Sequence, residues 1–239
     1  MAMQAERIWR AVGAVLERDP RVDLHGYPLR METRDGRAVL VGTVQDIAAL
    51  RVAAAALAAA APATEAADEL RLAVGEPLED GALRDRVTRN LLSESALRDA
   101  GVRFPANAEA GILREGGPGG NIEVSVSGSV ATLSGTVRSL THRRLAEVLT
   151  WWADGCGRVV NRLQVEPPEE DNNDELADAL RLVLERDPLV RADHFTVHAD
   201  DGVVRLMGAV PSREEKRLAL LDMWYVPGVR DVVDAVEIL

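Results

Sequence analysis

The sequence predicts an α+β protein made of three tandem small domains, each ordered helix, strand, strand, helix, strand. Three observations predict this. Gly42, Gly135 and Gly208 each sit in a short apolar strand pattern and precede Thr-Val, Thr-Val and Ala-Val. Twenty residues beyond each lies a turn residue, Pro62, Gly155 or Gly228. Six further on comes a short polar side chain, Asp68, Asn161 or Asp234, followed at alternate positions by Leu70 and Leu72, Leu163 and Val165, or Val236 and Ile238. Upstream, the string VLERDP occurs at Val15 to Pro20 and again at Val183 to Pro188. The glycines are separated by 93 and 73 residues, so the repeat is a row of small domains and not a solenoid of fixed period.

Each copy opens with an amphipathic helix, carried by Ile8, Val12, Val15 and Leu16 in the first and by Leu176, Leu180, Val183 and Leu184 in the third. Asp-Pro ends both, because the residue before proline is pushed out of the helical region. A hairpin follows, turning at Asp35-Gly36 and Asp201-Gly202, dipeptides that tolerate the positive φ of a tight turn. The outgoing strands alternate: Ala38, Leu40, Gly42, Val44; Ala131, Leu133, Gly135, Val137; Val204, Leu206, Gly208, Val210. Glycine weakens a strand, so its expected use on the apolar face is to let a helix backbone come close. The second helix carries Val52, Ala55 and Ala59, then Leu145, Val148 and Trp152, then Leu218, Leu221 and Tyr225. The closing strands are Ala66 to Leu72, Val159 to Val165 and Val232 to Ile238. The expected domains are 1–74, 79–166 and 173–239, joined by the acidic, proline-bearing linkers GEPLED and EPPEEDNN. Copy two is longer by 17 to 19 residues within about 98–120, ending in GGPGG. No Gly-Lys-Ser/Thr follows, so a flexible surface loop is expected there and not a phosphate loop.

Composition narrows the function. A net charge of -11 speaks against a general nucleic-acid binder. One cysteine among 239 residues excludes an internal disulfide. The N-terminus has charges on both sides of a short apolar stretch and is a poor signal peptide, so a cytoplasmic chain is expected as written, or a periplasmic one if a leader has been trimmed. The alanine-rich run from Val52 to Pro62 is too short to span a bilayer.

The repeated pattern resembles the BON domain, named for bacterial OsmY and nodulation proteins. Copy three carries GVVRLMGAV at Gly202 to Val210 and GVRDVVDAVEI at Gly228 to Ile238, and copy two carries SVATLSGTV at Ser129 to Val137 with the family's asparagine at Asn161. Copy one departs most, with Pro62-Ala63 in place of Gly-Val. The resemblance implies a three-stranded mixed sheet with two helices on one face of each domain. It also implies a non-catalytic role: attachment to phospholipid or a membrane surface, osmotic or envelope stress protection, transport-associated partner docking, or potassium binding in some intracellular members. No cofactor is implied, and the family offers no catalytic residues to carry over.

The candidate sites agree with a binding role. His194 and His198 are four apart on an expected strand, without an intervening glutamate or a nearby cysteine, so zinc is not expected. Cys156 reads as an exposed or half-buried thiol in a turn and not as a nucleophile. Asp68, Asn161 and Asp234 face inward and are expected to tie each closing strand to a neighbouring loop; a ligand or cation role is the second reading. Trp151 and Trp224 lie on a helix flank that also carries Arg144 and Arg217, where copy one has Arg51 and Ala58. An exposed tryptophan there suits an anionic surface or a protein partner, whereas a buried one would lie under the arginine stem or against the adjacent domain, and the buried reading weighs more. The span Gly81 to Val165 has 11 arginines against 8 acids and is the only basic copy, through Arg84, Arg86 and Arg89 on its first helix and Arg138, Arg143 and Arg144 about its second. The expected function is docking to a membrane phospholipid surface or a protein partner; the alternative is an intracellular small-ion sensor of the potassium type whose domains rearrange.

Overall fold

The computed structural model describes residues 2–76, 78–105 and 111–239. The chain divides into two units, Met1–Ala73 and Val74–Leu239.

In the first unit, α1 (Ala2–Leu16) buries Ala5, Ile8, Val12 and Leu16. Strands β1 (Arg30–Arg34) and β2 (Arg37–Val44) form an antiparallel hairpin, and Asp35 and Gly36 take φ of 49° and 78° at its turn. Asp46 caps α2 (Ile47–Ala60) by accepting from the Ala49 N–H at 2.9 Å. The chain returns as β3 (Ala66–Leu72), parallel to β2. Both helices contact each other and the sheet, so they cover one face. The other face of β2 carries Val39 and Val41, also buried, among an Arg30–Glu32–Arg34–Glu69 lattice of ion pairs.

The second unit begins with α3 (Asp80–Ser93) and a 3-10 turn at Ser95–Leu97. Then come β4 (Gly101–Arg103), β5 (Ile112–Arg114), β6 (Gly120–Ser127), β7 (Val130–Val137), α4 (Leu140–Trp151) and β8 (Arg158–Val165). The same unit continues with α5 (Asn173–Arg186), a 3-10 turn at Ala192–His194, β9 (Phe195–Asp200), β10 (Val203–Val210), α6 (Arg213–Tyr225) and β11 (Asp231–Ile238). The architecture is α+β, with six helices and three mixed sheets among the described residues.

The longer middle stretch corrects one expectation. It is not merely a surface loop over 98–120: β4 pairs parallel with β6, and β5 pairs antiparallel with β4. The middle sheet therefore has five strands in the order β5-β4-β6-β7-β8 instead of three. In the GGPGG run Gly116, Gly117 and Pro118 remain exposed, while Gly119 is buried. Gly119 donates to the Asp99 carbonyl at 3.0 Å, and a Cβ on Gly101 would stand 2.6 Å from the Gly116 Cα. Glycine is needed there for close backbone approach, a use that in sequence looks the same as flexibility. Positions 106–110 of this stretch lie outside the described residues.

A second correction concerns Gly42, Gly135 and Gly208. They have φ of 145°, 113° and 149°, and the backbone that crowds them belongs to the neighbouring strand side, not to a helix. A Cβ on Gly135 would collide with the Asn121 carbonyl, one on Gly208 with the His194 carbonyl, and one on Gly42 would sit 3.1 Å from the Pro28 carbonyl.

Candidate functional site

Helix α4 packs against α5 and α6 inside the second unit, and this contact decides the fate of the tryptophan–arginine flank. Trp151 and Trp224 are each 6% exposed, which overturns the exposed version of that flank. The Arg144 side chain is 5% exposed. Its Nε donates to the Pro227 carbonyl at 3.0 Å, and its Nη2 donates to both Asp171 carboxylate oxygens at 2.7 and 2.8 Å. Arg144 is a clasp joining α4 to the linker before α5 and to the turn after α6, not a surface contact. A sequence signal for this exists. Copies two and three, which share one unit, have tryptophan and arginine on the flank, whereas copy one, a separate unit, has Ala58 in place of the tryptophan.

The remaining arginines separate by environment. Arg84 is half-buried and lies over the Phe104 ring, 4.1 Å from its centroid. Arg143 is half-buried beside Arg144, and its carbonyl accepts from Asn161 Nδ2 at 3.0 Å. Arg217 is exposed and pairs with Glu214 at 2.7 Å; that contact raises the guanidinium pKa and lowers the carboxyl pKa. Arg86 and Arg89 lie on α3, Arg89 exposed and Arg86 reaching Asp154 at 2.9 Å. Together with Trp152, Ala82, Asn90, Asp85 and Asp154 they line a shallow groove of about 540 Å³. Trp152 is half-buried, so the tryptophan that reaches the surface beside arginines is Trp152, not its neighbour Trp151.

The recurring polar residues sit opposite equivalent leucines: Leu40 with Asp68, Leu133 with Asn161, Leu206 with Asp234. Asn161 Nδ2 donates to the Arg143 carbonyl on α4 and to Glu147 at 3.2 Å, while its Oδ1 accepts from the Leu163 N–H at 3.0 Å. Asp234 is exposed and not the buried inward residue expected; it accepts from the Val236 N–H at 3.0 Å and pairs with Lys216 Nζ at 2.8 Å. In these two copies the tie runs from closing strand to second helix and not to a loop. Asp68 is half-buried on β3.

Two titratable groups stand apart. Cys156 is 3% exposed, not half-buried in a wet turn, and burial pushes its thiol up to about 12. Asp222 on α6 is 3% exposed; burial, then the neighbouring Asp187, pushes its carboxyl up to about 9. Sequence reasoning missed Asp222. Its signal lies in the repeat, since Ala56 and Leu149 stand 14 residues after their glycines just as Asp222 stands 14 after Gly208. His194 falls on the 3-10 turn and not on the strand, 3.4 Å from Glu215, while His198 is exposed on β9. Among the described residues, no group of three His, Cys, Asp or Glu side chains gathers as a metal site. No helix among them is long and apolar enough to cross a membrane.

Comparison with solved structures finds two chains described as CdsD, a structural protein of the type III secretion system of Chlamydia trachomatis, one of them as its C-terminal domain. Each is 14% identical with a TM-score of 0.25, covering 96% of this chain and 96% or 91% of the other. The family model for the BON domain matches residues 108–167 and 172–239. These matched segments contain both closing motifs of the second unit, and the chain belongs to the BON domain family.

Proposed function

We propose that the chain is a non-catalytic docking protein in which 1–74, 79–166 and 173–239 are three BON-like domains, and that the middle domain attaches to an anionic phospholipid surface. The observation that carries this reading is the α3–α4 groove, where the half-buried Trp152 shares the lining with Arg86 and Arg89. An indole at a wet apolar edge suits the headgroup layer. Each arginine near an anionic leaflet contributes on the order of 1 kcal/mol, lost at high salt. Gly81–Val165 has three more arginines than acids, and over 79–166, with Glu79, Asp80 and Glu166, the charges balance, whereas the other two domains are net acidic. Asp85 and Asp154, the latter paired with Arg86, also line the groove and temper the field, so attachment is weak and salt-sensitive. The small-ion alternative draws no support from Asn161 and Asp234, whose side chains are engaged with protein donors and acceptors.

Flotation of the full chain with phosphatidylglycerol-containing vesicles tests the reading. Wild type is expected to float at low salt, and Arg86→Glu with Arg89→Glu, or Trp152→Ala, to remain at the bottom. Flotation unaffected by all three substitutions would refute the site. A chain that ignores vesicles but retains a protein partner through the same residues would replace lipid by protein as the ligand.

A further inference from the structure

The middle copy differs from the other two at one sheet edge, which β4 fills there and which, among the described residues, stays open at β1 in the first and β9 in the third, and the difference supplies an occupant for the open edge. In the middle copy the chain lays β4 along the outer edge of β6, parallel to it, with Gly101, Val102 and Arg103 opposite Asn121, Ile122 and Glu123. Val102 is fully buried, and Phe104 follows it under the Arg84 guanidinium at 6% exposure. In the first unit the equivalent strand is β1, since Arg30 stands opposite Val41 as Glu123 stands opposite Ser134, 93 residues on. Among the described residues, β1 is an edge strand with no partner on its outer side.

The seat of Phe104 has its counterpart there. The innermost residues of the first helices, Ile8, Val12 and Leu16 against Leu83, Val87 and Leu91, bring Trp9 into the position of Arg84. Trp9, Ala5, Leu29 and Met31 line an open groove of about 450 Å³ between α1 and β1. Charge is reversed beside it. Arg103 of β4 pairs with Glu123 at 3.3 Å, whereas the residue in the place of Glu123 is Arg30, which is exposed, pairs along its own strand with Glu32 at 2.9 Å and shares the groove with Glu6.

We propose that the α1–β1 edge binds an extended peptide segment of a partner protein as an added parallel strand, with an aromatic side chain seated against Trp9 and a carboxylate beside Arg30. The backbone pairing supplies the affinity and the two side chains the selectivity, as in other strand-addition complexes. This surface is separate from the α3–α4 groove, so either reading can fail without the other.

The test uses the full chain and a synthetic octapeptide copying 98–105 with Arg103→Glu, followed by fluorescence polarisation and by amide shifts in NMR spectra. The expected result is saturable binding that moves the amides of Arg30–Arg34. Replacing the peptide's phenylalanine by alanine should weaken binding about tenfold or more, the effect of losing one buried aromatic side chain. Restoring arginine at 103 should weaken it severalfold. On the protein side, Trp9→Ala should abolish binding and Trp9→Phe retain it. Because the peptide variants leave the protein untouched, a folding defect in Trp9→Ala cannot mask the answer. Equal binding of the alanine peptide, shifts confined to other strands, or no saturation would overturn the proposal.

Discussion

Replacing Asp222 by asparagine should flatten the pH dependence of the second unit's stability. Asp222 lies on α6 at 3% exposure, its Oδ2 buried without a partner, beside Asp187 at the end of α5. Its folded pKa of about 9 stands above the ordinary carboxyl value of 3.8. Between those values the folded state holds a proton that the unfolded state has released. Stability therefore falls as pH rises through this window, by at most about 1.4 kcal/mol per pH unit from this one group. Between pH 5 and 8 the ceiling is about 4 kcal/mol. Asparagine has the same shape, cannot ionise, and keeps an N–H donor for Asp187. The variant should match wild type near pH 4.5 and exceed it by about 1–3 kcal/mol at pH 8. Urea unfolding followed by the fluorescence of Trp151, Trp152 and Trp224 across that range measures it. Parallel pH profiles for the two proteins would refute the burial argument.

Three further outcomes follow from the packing. Gly135→Ala forces a Cβ against the Asn121 carbonyl at a φ of 113° and should cost about 2–4 kcal/mol in chemical denaturation; a loss below about 0.5 would contradict the close approach. Arg144→Met strips the Pro227 carbonyl and Asp171 of their donor; because Asp171 is largely exposed and can rehydrate, the expected loss is about 1–3 kcal/mol in the second unit, and an unchanged midpoint would refute the clasp. Cys156, with its thiol held near 12, should react with a thiol reagent at pH 8 about a thousandfold more slowly folded than in urea; comparable rates would show that it is open to solvent.

Much of the architecture is legible in the residues because it rests on local chemistry. Asp35-Gly36 and Asp201-Gly202 turn the two hairpins, and the alternation of Leu40, Leu133 and Leu206 with outward residues places three buried strands. What the sequence hides depends on contacts between elements distant in the chain. Gly42, Gly135 and Gly208 announce a close approach, but not whether a helix or a strand comes near. GGPGG reads as a flexible loop because a packed glycine and a mobile one are the same letter. Helical spacing separates Trp151 from Trp152 by about 100°, but which is wet depends on where α5 and α6 lie. The groove formed by Arg86, Arg89 and Trp152 joins α3 to the end of α4, and no spacing rule connects them.

The central claim, attachment of the middle domain to an anionic surface, is tested most directly by a partition coefficient. Sucrose-loaded vesicles of increasing phosphatidylglycerol content are sedimented with the full chain at about 50 mM and about 500 mM salt, a range over which exposed charges become screened. The predicted result is partitioning that rises with anionic lipid, falls at least tenfold at the higher salt, and is lost in the Arg86→Glu, Arg89→Glu variant. Partitioning that is absent at every lipid composition, or that is indifferent to both salt and these two arginines, would contradict it.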